Sequence, residues 1–163
     1  MNFILGLGSN LEPRKTYLQQ AARLLVEHKI RIEKKSFIYE TEPVGDIAQP
    51  WFLNCVLQVE GDVKPPTLLN ITQKIEFQLG RRRPFCNAPR TIDIDLLLAE
   101  DLVIYTEHLV IPHPRLAERK FVLLPLVEIA PQVIHPVYHK SIGQLYQELS
   151  DDSKVIKLEP FEF

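Results

Sequence analysis

The segment from Thr91 through Ile92, Asp93, Ile94 and Asp95 to Leu96, Leu97 and Leu98 sets two acids into an otherwise apolar run. Side chains along such a strand point alternately to opposite faces, so Asp93 and Asp95 project from the same one. Two strand residues repeat over roughly 6–7 Å, and like charges at that separation repel by about 2–3 kcal/mol at an effective dielectric of about 20. An apolar strand tolerates this only with a cationic partner. A hard divalent ion, or two, suits the pair, because Mg²⁺ takes a few carboxylates and fills its remaining positions with substrate phosphates. The plainer alternatives are two solvated acids at a strand end, or acids paired with arginine.

Immediately before the acids, the segment Gly80 to Arg90 carries Arg81, Arg82, Arg83 and Arg90. Guanidinium forks match phosphate oxygens bidentately. A basic loop beside two carboxylates is the layout expected of a bound Mg-nucleotide, and the alternatives are a solubilising loop or an RNA contact. Val110-Ile111-Pro112-His113-Pro114-Arg115, with Arg119 and Phe121 close behind, reads as a second anion site on a proline-stiffened loop; a lone histidine is otherwise more often structural. Gly6 and Gly8 resemble the opening of a dinucleotide fingerprint, but Leu11 stands where a third glycine belongs. They are read as positions of close backbone approach. Phe52 and Asn54 share one strand face, leaving Leu53, Cys55 and Leu57 for the core. A ring beside an amide suits a flat heterocycle with a donor–acceptor edge, although core burial of Phe52 and a strand-end role for Asn54 fit equally well. No grouping supports a nucleophilic triad, and no His/Cys spacing suits Zn²⁺.

The elements that must position these residues follow from periodicity. Residues 2–8 read as a buried strand. A helix then opens between Asn10 and Pro13, with Leu18, Ala21, Leu25 and His28 at helical spacing. Residues 31–39 read as one strand, 40–51 as a long loop and 52–60 as a further strand. A helix started by Pro65 and Pro66 carries the stripe Leu68, Ile71, Ile75 and Leu79 and ends at Gly80. Residues 91–99 supply the acidic strand. The order β-α-β-β-α-β implies an α+β fold with a ferredoxin-like core. The remainder, from about residue 102, reads as a C-terminal α/β appendage, with a short strand near Val103 and helices near 121–129 and 141–149.

The totals agree with an ordinary globular domain. The chain has 163 residues, 45% hydrophobic and 25% charged, with a formal net charge of −2. That length fits a single domain over residues 1–163, and the slight acidity argues against a nucleic-acid-wrapping protein. Cys55 and Cys86 read as free thiols in a reducing compartment. The first residues lack the pattern of a signal peptide, and the apolar segment 121–130 is broken by Pro125 and Glu128. A cytoplasmic protein without nucleic-acid or membrane partners is expected.

The residues together resemble a known family, the 6-hydroxymethyl-7,8-dihydropterin pyrophosphokinases of folate biosynthesis. The resemblance runs through Leu7-Gly8-Ser9-Asn10-Leu11, Tyr39 to Gly45, Gln49 to Asn54, then Gln73, Glu76, Gly80, Arg81 and Arg83. Pro89 to Asp95 is its most specific part, and Val110 to His113, Arg119 and Phe121 complete it. It implies that the β,γ-pyrophosphoryl unit of ATP passes to the hydroxymethyl oxygen of the pterin, leaving AMP. It also implies that Asp93 and Asp95 hold two Mg²⁺ ions and act with Arg81 and Arg90 in catalysis. Leu69, Gln73, Glu76, Arg83, Leu96, His113 and Arg119 would lie on the ATP side, the cationic groups among them neutralising phosphate. Phe52 and Phe121 would sandwich the pterin, with Thr41, Pro43, Val44 and Asn54 reading its polar edge; a monomer is expected. Many members carry Trp-Gly where Asn87-Ala88 stands here, in a slightly shorter loop, and the usual tyrosine of the stack is Phe52. An RNA-binding module would need a stacking signature that the chain lacks. A ligand-sensing domain would not need paired acids beside four arginines. Another Mg²⁺-dependent phosphoryl or nucleotidyl transferase would keep the site and change the acceptor.

Overall fold

A computed structural model describes residues 1–45, 48–82, 85 and 88–163. The main sheet is antiparallel throughout and built from β1 (Asn2–Ser9), β2 (Arg31–Lys35), β3 (Phe37–Thr41), β4 (Phe52–Glu60), β5 (Asp93–Ala99) and β8 (Val155–Pro160). Its order is β5-β1-β4-β3-β8, with β2 also paired to β4. The short β6 (Ile104–Tyr105) and β7 (Val110–Ile111) form a separate hairpin. Helices α1 (Arg14–Glu27) and α2 (Pro65–Gln78) fill the first two helical positions, and α3 (Lys120–Ile129) and α4 (Ile142–Gln147) follow β7. Among the described residues no helix is long and apolar enough to cross a membrane.

Alternation along the strands gives the sheet two buried faces. Phe3, Leu5 and Leu7 of β1 and Leu53, Cys55, Leu57 and Val59 of β4 pack against Leu18, Ala21 and Leu25 of α1 and Leu68 and Ile75 of α2. Ile4, Val56, Leu97 and Leu98 pack from the other side against Val122, Leu123 and Leu126 of α3 and Ile142 of α4. The expected apolar stripes of α1 and α2 are therefore core, except that His28 lies just past α1 and is exposed. α2 starts on its two prolines and stops before Gly80, whose φ of 90° lies where a side chain would strain the backbone.

Two expectations change. Residues 31–39 form two strands rather than one, because Ser36 interrupts the ladder: its amide donates to the Val56 carbonyl while its Oγ accepts the Val56 amide at 2.9 Å. The C-terminal region also contributes a strand that the sequence did not announce, since β8 joins the main sheet against β3.

Candidate active site

β5 and β1 lie side by side with Gly8 opposite Asp93 and Gly6 opposite Asp95, so the acids stand beside the two positions without side chains. Ile94 and Leu96, between and after them, turn into the core. Asp93 is held by two arginines: Arg81 Nη2 lies 3.3 Å from its Oδ1, and Arg90 Nε 3.5 Å from its Oδ2. Arg81 in turn lies 3.7 Å from Glu76, whose buried carboxylate accepts the Ile94 amide at 2.8 Å. The arginine-paired alternative thus describes Asp93.

It does not describe Asp95, which makes no ion pair among the described residues. Burial first, then the nearby negative charges of Asp93 and Glu76, push its carboxyl up to about 7 despite the opposing pull of Arg119 and Arg90. The arginines show the complementary imbalance. Nε of Arg81, Arg90 and Arg119 are buried donors without a hydrogen-bond acceptor. The site holds an acid short of cations and cations short of acceptors, which is what a metal–polyanion complex would satisfy together. No cluster of three or more His, Cys, Asp or Glu that could hold a metal occurs among the described residues. The aspartate pair could serve as donors, which would fit a hard cation that completes its shell with phosphate oxygens and water.

Two clefts meet at these acids. One is bordered by Gly8, Thr41, Val44, Phe52, Asn54, Arg90, Arg119 and Phe121 together with Asp93 and Asp95. The other is bordered by Leu69, Gln73, Glu76, Leu96, His108 and His113, again with both aspartates. Most of the residues expected at the site from the sequence fall on these two walls. Arg81 borders neither and reaches the site through Asp93, and Pro43 borders neither. Arg83 lies outside the described residues, as do Cys86 and Asn87.

The first cleft has a recognition edge. Asn54 Nδ2 donates to Thr41 Oγ1 at 2.6 Å, which fixes the amide. A Cβ at Gly8 would come within 2.5 Å of Asn54 Oδ1, so only glycine leaves the amide room. Arg90 lies 5.0 Å from the centre of the Phe52 ring and Arg119 lies 5.4 Å from that of Phe121. The two rings expected to stack the acceptor therefore each carry an arginine. In the second cleft, His113 Nδ1 accepts the Arg115 amide at 3.1 Å, leaving Nε2 as the protonated nitrogen. Burial, followed by the charge of Arg119, pushes His113 down to about 4. It offers a hydrogen bond near neutral pH rather than the positive charge expected of it.

Two residues, His108 and Asn10, enter the site that sequence reasoning did not assign, and Arg115 arrives there from the anion site expected with His113 and Arg119. Arg115 borders the first cleft and His108 the second. Asn10, buried, ties the two basic and polar loops together: its Nδ2 donates to Gln49 Oε1 at 2.8 Å and to the Pro50 carbonyl at 3.1 Å, while its Oδ1 accepts the Arg90 amide at 2.8 Å. The signal was available, since a polar residue directly after an apolar strand and before a proline-bearing turn calls for local hydrogen bonds.

The chain is similar to known proteins over most of its length. Residues 4–131 match the family model described as 7,8-dihydro-6-hydroxymethylpterin-pyrophosphokinase. The 2-amino-4-hydroxy-6-hydroxymethyldihydropteridine pyrophosphokinase of Bacillus subtilis is 48% identical over 130 residues, covering 79% of this chain and 78% of that protein. The enzyme of the same name from Aquifex aeolicus is 44% identical, covering 88% of this chain and 89% of its own. A solved Plasmodium falciparum HPPK-DHPS structure superposes with a TM-score of 0.72 at 18% identity, over 90% of this chain and 45% of that longer chain; that likeness concerns the fold. With two clefts meeting at paired aspartates, and relatives of this closeness, the chain belongs to the 7,8-dihydro-6-hydroxymethylpterin-pyrophosphokinase family.

Proposed function

We propose how the residues of this chain divide the family's reaction, the ATP-dependent transfer of pyrophosphate to hydroxymethyldihydropterin in folate biosynthesis. The observation that carries the assignment is that Asp93 and Asp95 border both clefts. A group passing from a donor in one to an acceptor in the other must cross the strand end that bears them. The cleft of Phe52, Asn54 and Phe121 takes the pterin, and that of Leu69, Gln73 and His113 takes ATP.

In this reading the pterin ring lies between Phe52 and Phe121, and the Asn54 amide, held by Thr41, reads its amino-pyrimidinone edge. The backbone from Thr41 through Pro43 to Val44 supplies the remaining polar contacts. The hydroxymethyl oxygen bonds to the β-phosphorus as the bond from that phosphorus to the oxygen of the α-phosphate breaks. AMP leaves, and the hydroxyl proton goes to solvent. Asp93 and Asp95 would hold Mg²⁺, two ions by the resemblance, which when bound supply charge neutralisation to the triphosphate. Arg90, placed between Phe52 and Asp93, and Arg119, beside Phe121, bring positive charge to the junction of the clefts. Arg81 is steadied by Glu76 and Asp93, and by the resemblance Arg83 would add positive charge on the ATP side. His113 donates through Nε2, and Gln73, Glu76, Leu69 and Leu96 form the nucleotide wall. Such transfer depends on positioning and charge more than on covalent help.

The finer fold reading belongs to the same proposal. The order β1-α1-β2/β3-β4-α2-β5, with the sheet order β5-β1-β4-β3, supports a ferredoxin-like core carrying a C-terminal appendage. A single domain over 1–163 is supported by the pairing of β8 with β3. A cytoplasmic monomer that uses small-molecule substrates, without nucleic-acid or membrane partners, completes the reading.

The test is to incubate the protein with ATP, Mg²⁺ and 6-hydroxymethyl-7,8-dihydropterin and to identify the nucleotide product. AMP in step with a pterin diphosphate is expected. ADP, or AMP formed without pterin, would overturn the assignment.

A further inference from the structure

Helix α3 begins without an N-cap from its own start, since Arg119 provides no side-chain hydrogen bond there. The acceptor comes from Asp151, 31 residues away, whose Oδ2 takes the Lys120 amide at 2.9 Å. Its Oδ1 takes the Ser153 amide, also at 2.9 Å, which folds the chain back on itself at that point. Lys154, directly after Ser153, reaches Glu42, another border residue of the first cleft. Its amide donates to Glu42 Oε1 at 2.9 Å, and the Glu42 amide donates to its carbonyl at 3.1 Å. From Val155, opposite Thr41, the chain continues as β8.

Residues 151–155 thus bond directly to one border residue of the first cleft, Glu42, and to the Lys120 amide that lies between two others, Arg119 and Phe121. Glu42 directly follows Thr41, which holds the Asn54 amide. The second cleft is bordered by none of the residues this segment contacts. The segment also lies beyond the region shared with the family model, which ends at residue 131.

We infer that residues 151–154 form a bracket that sets the width of the acceptor cleft, with Asp151 as the positioning residue that fixes the first turn of α3 and through it Phe121. A flat ring stacked between Phe52 and Phe121 needs a fixed gap between them, and Phe121 directly follows the amide that Asp151 caps. A carboxylate suits this place, because the first amides of a helix lack intrahelical acceptors and attract negative charge. The inference rests on the reading of this cleft as the pterin site.

The experiment uses full-length Asp151→Ala and Asp151→Asn. Fluorescence titration with 6-hydroxymethylpterin in the presence of a non-hydrolysable ATP analogue measures the first cleft, and calorimetric titration with the analogue alone measures the second. Hydrogen exchange at residues 120–123 reports the bracket without any ligand. In Asp151→Ala, pterin affinity should fall about fivefold to tenfold, the fold-change equivalent of one lost helix cap. Analogue affinity should stay within about twofold, a change too small to mark a lost contact, and residues 120–123 should exchange faster while α1 does not. Asp151→Asn keeps an acceptor for the Lys120 amide and should recover most of the pterin affinity. Unchanged pterin affinity in Asp151→Ala would overturn the inference, as would a parallel loss of pterin and analogue affinity, which marks general destabilisation. Failure of the unsubstituted protein to bind pterin at all would overturn the pterin reading, and the role of Asp151 with it.

Discussion

Replacing Asp95 by asparagine should make the metal-free protein more stable while removing its activity. The carboxyl is pushed from its ordinary 3.8 to about 7, by burial and then by Asp93 and Glu76. A folded pKa above the unfolded one means that the native state binds more protons than the unfolded state between those values. Stability therefore falls as pH rises through that window, with the cost absent below about pH 4 and complete above about pH 7. At about 1.4 kcal/mol for each tenfold, the span from 3.8 to about 7 sets a ceiling near 4 kcal/mol. Asp95 borders two solvent-open clefts, so screening brings the expected value to about 2 kcal/mol. Asparagine keeps the shape and removes the charge. Urea unfolding of both proteins in chelator should show the variant ahead by about 2 kcal/mol near pH 8 and by much less near pH 5. Mg²⁺ with an ATP analogue should favour the unsubstituted protein and narrow or reverse the gap. Turnover should fall by orders of magnitude. Equal stability near pH 8, or a gain independent of pH, would refute the reasoning that Asp95 is held charged against its surroundings.

Gly8→Ala places a Cβ within 2.5 Å of Asn54 Oδ1 and should displace the amide from Thr41, weakening pterin binding at least about tenfold in a fluorescence titration while ATP-analogue affinity holds. Phe52→Ala should likewise weaken pterin binding, by about tenfold from lost stacking and burial, whereas Phe52→Tyr keeps the ring face and should be nearly silent in the same titration. Arg90→Ala should lower the single-turnover rate by about a hundredfold with a smaller change in ATP affinity, because its charge serves the junction of the clefts; an affinity loss without a rate loss would make it a binding group only.

The conspicuous parts of the site were legible because they violate local rules. Acids at 93 and 95 inside an apolar strand, and arginines crowded before them, have no packing explanation, so they stand out as a candidate site by type and spacing. The faces of β4 followed from alternation alone: Leu53, Cys55, Leu57 and Val59 are core, and Phe52 and Asn54 border the cleft. What could not be read depends on partners distant in sequence. The break at Ser36 comes from a hydroxyl answering an amide 20 residues on. β8 carries Val155, Ile156 and Leu158 with no burial pattern, since all but Val155 of its residues are exposed, and it is a strand only because β3 offers an edge. Asp151 likewise looks like any surface acid until the Lys120 amide is placed against it.

The imbalance of charge at the junction explains why these residues must be held so firmly from outside. Asp93 spends its carboxylate on Arg81 and Arg90, while Asp95 has no such partner among the described residues, Nε of Arg81 and Arg90 has ion pairs but no hydrogen bond, and Nε of Arg119 has neither. Left to relax, buried groups of this kind would rotate toward one another or toward water, and the site would lose the unmet valences that a metal-bound triphosphate could satisfy. The restraints come from groups that never need to touch substrate. Glu76 grips the Ile94 amide and Arg81, and Asn10 holds the Arg90 backbone to the Gln49–Pro50 segment. Glu76 ties α2 to β5, and Asn10 ties the end of β1 to the Arg90 and Gln49–Pro50 segments, so closing one by accident would require several elements to move at once. Preorganisation here is thus a property of the scaffold, and the charges themselves oppose it.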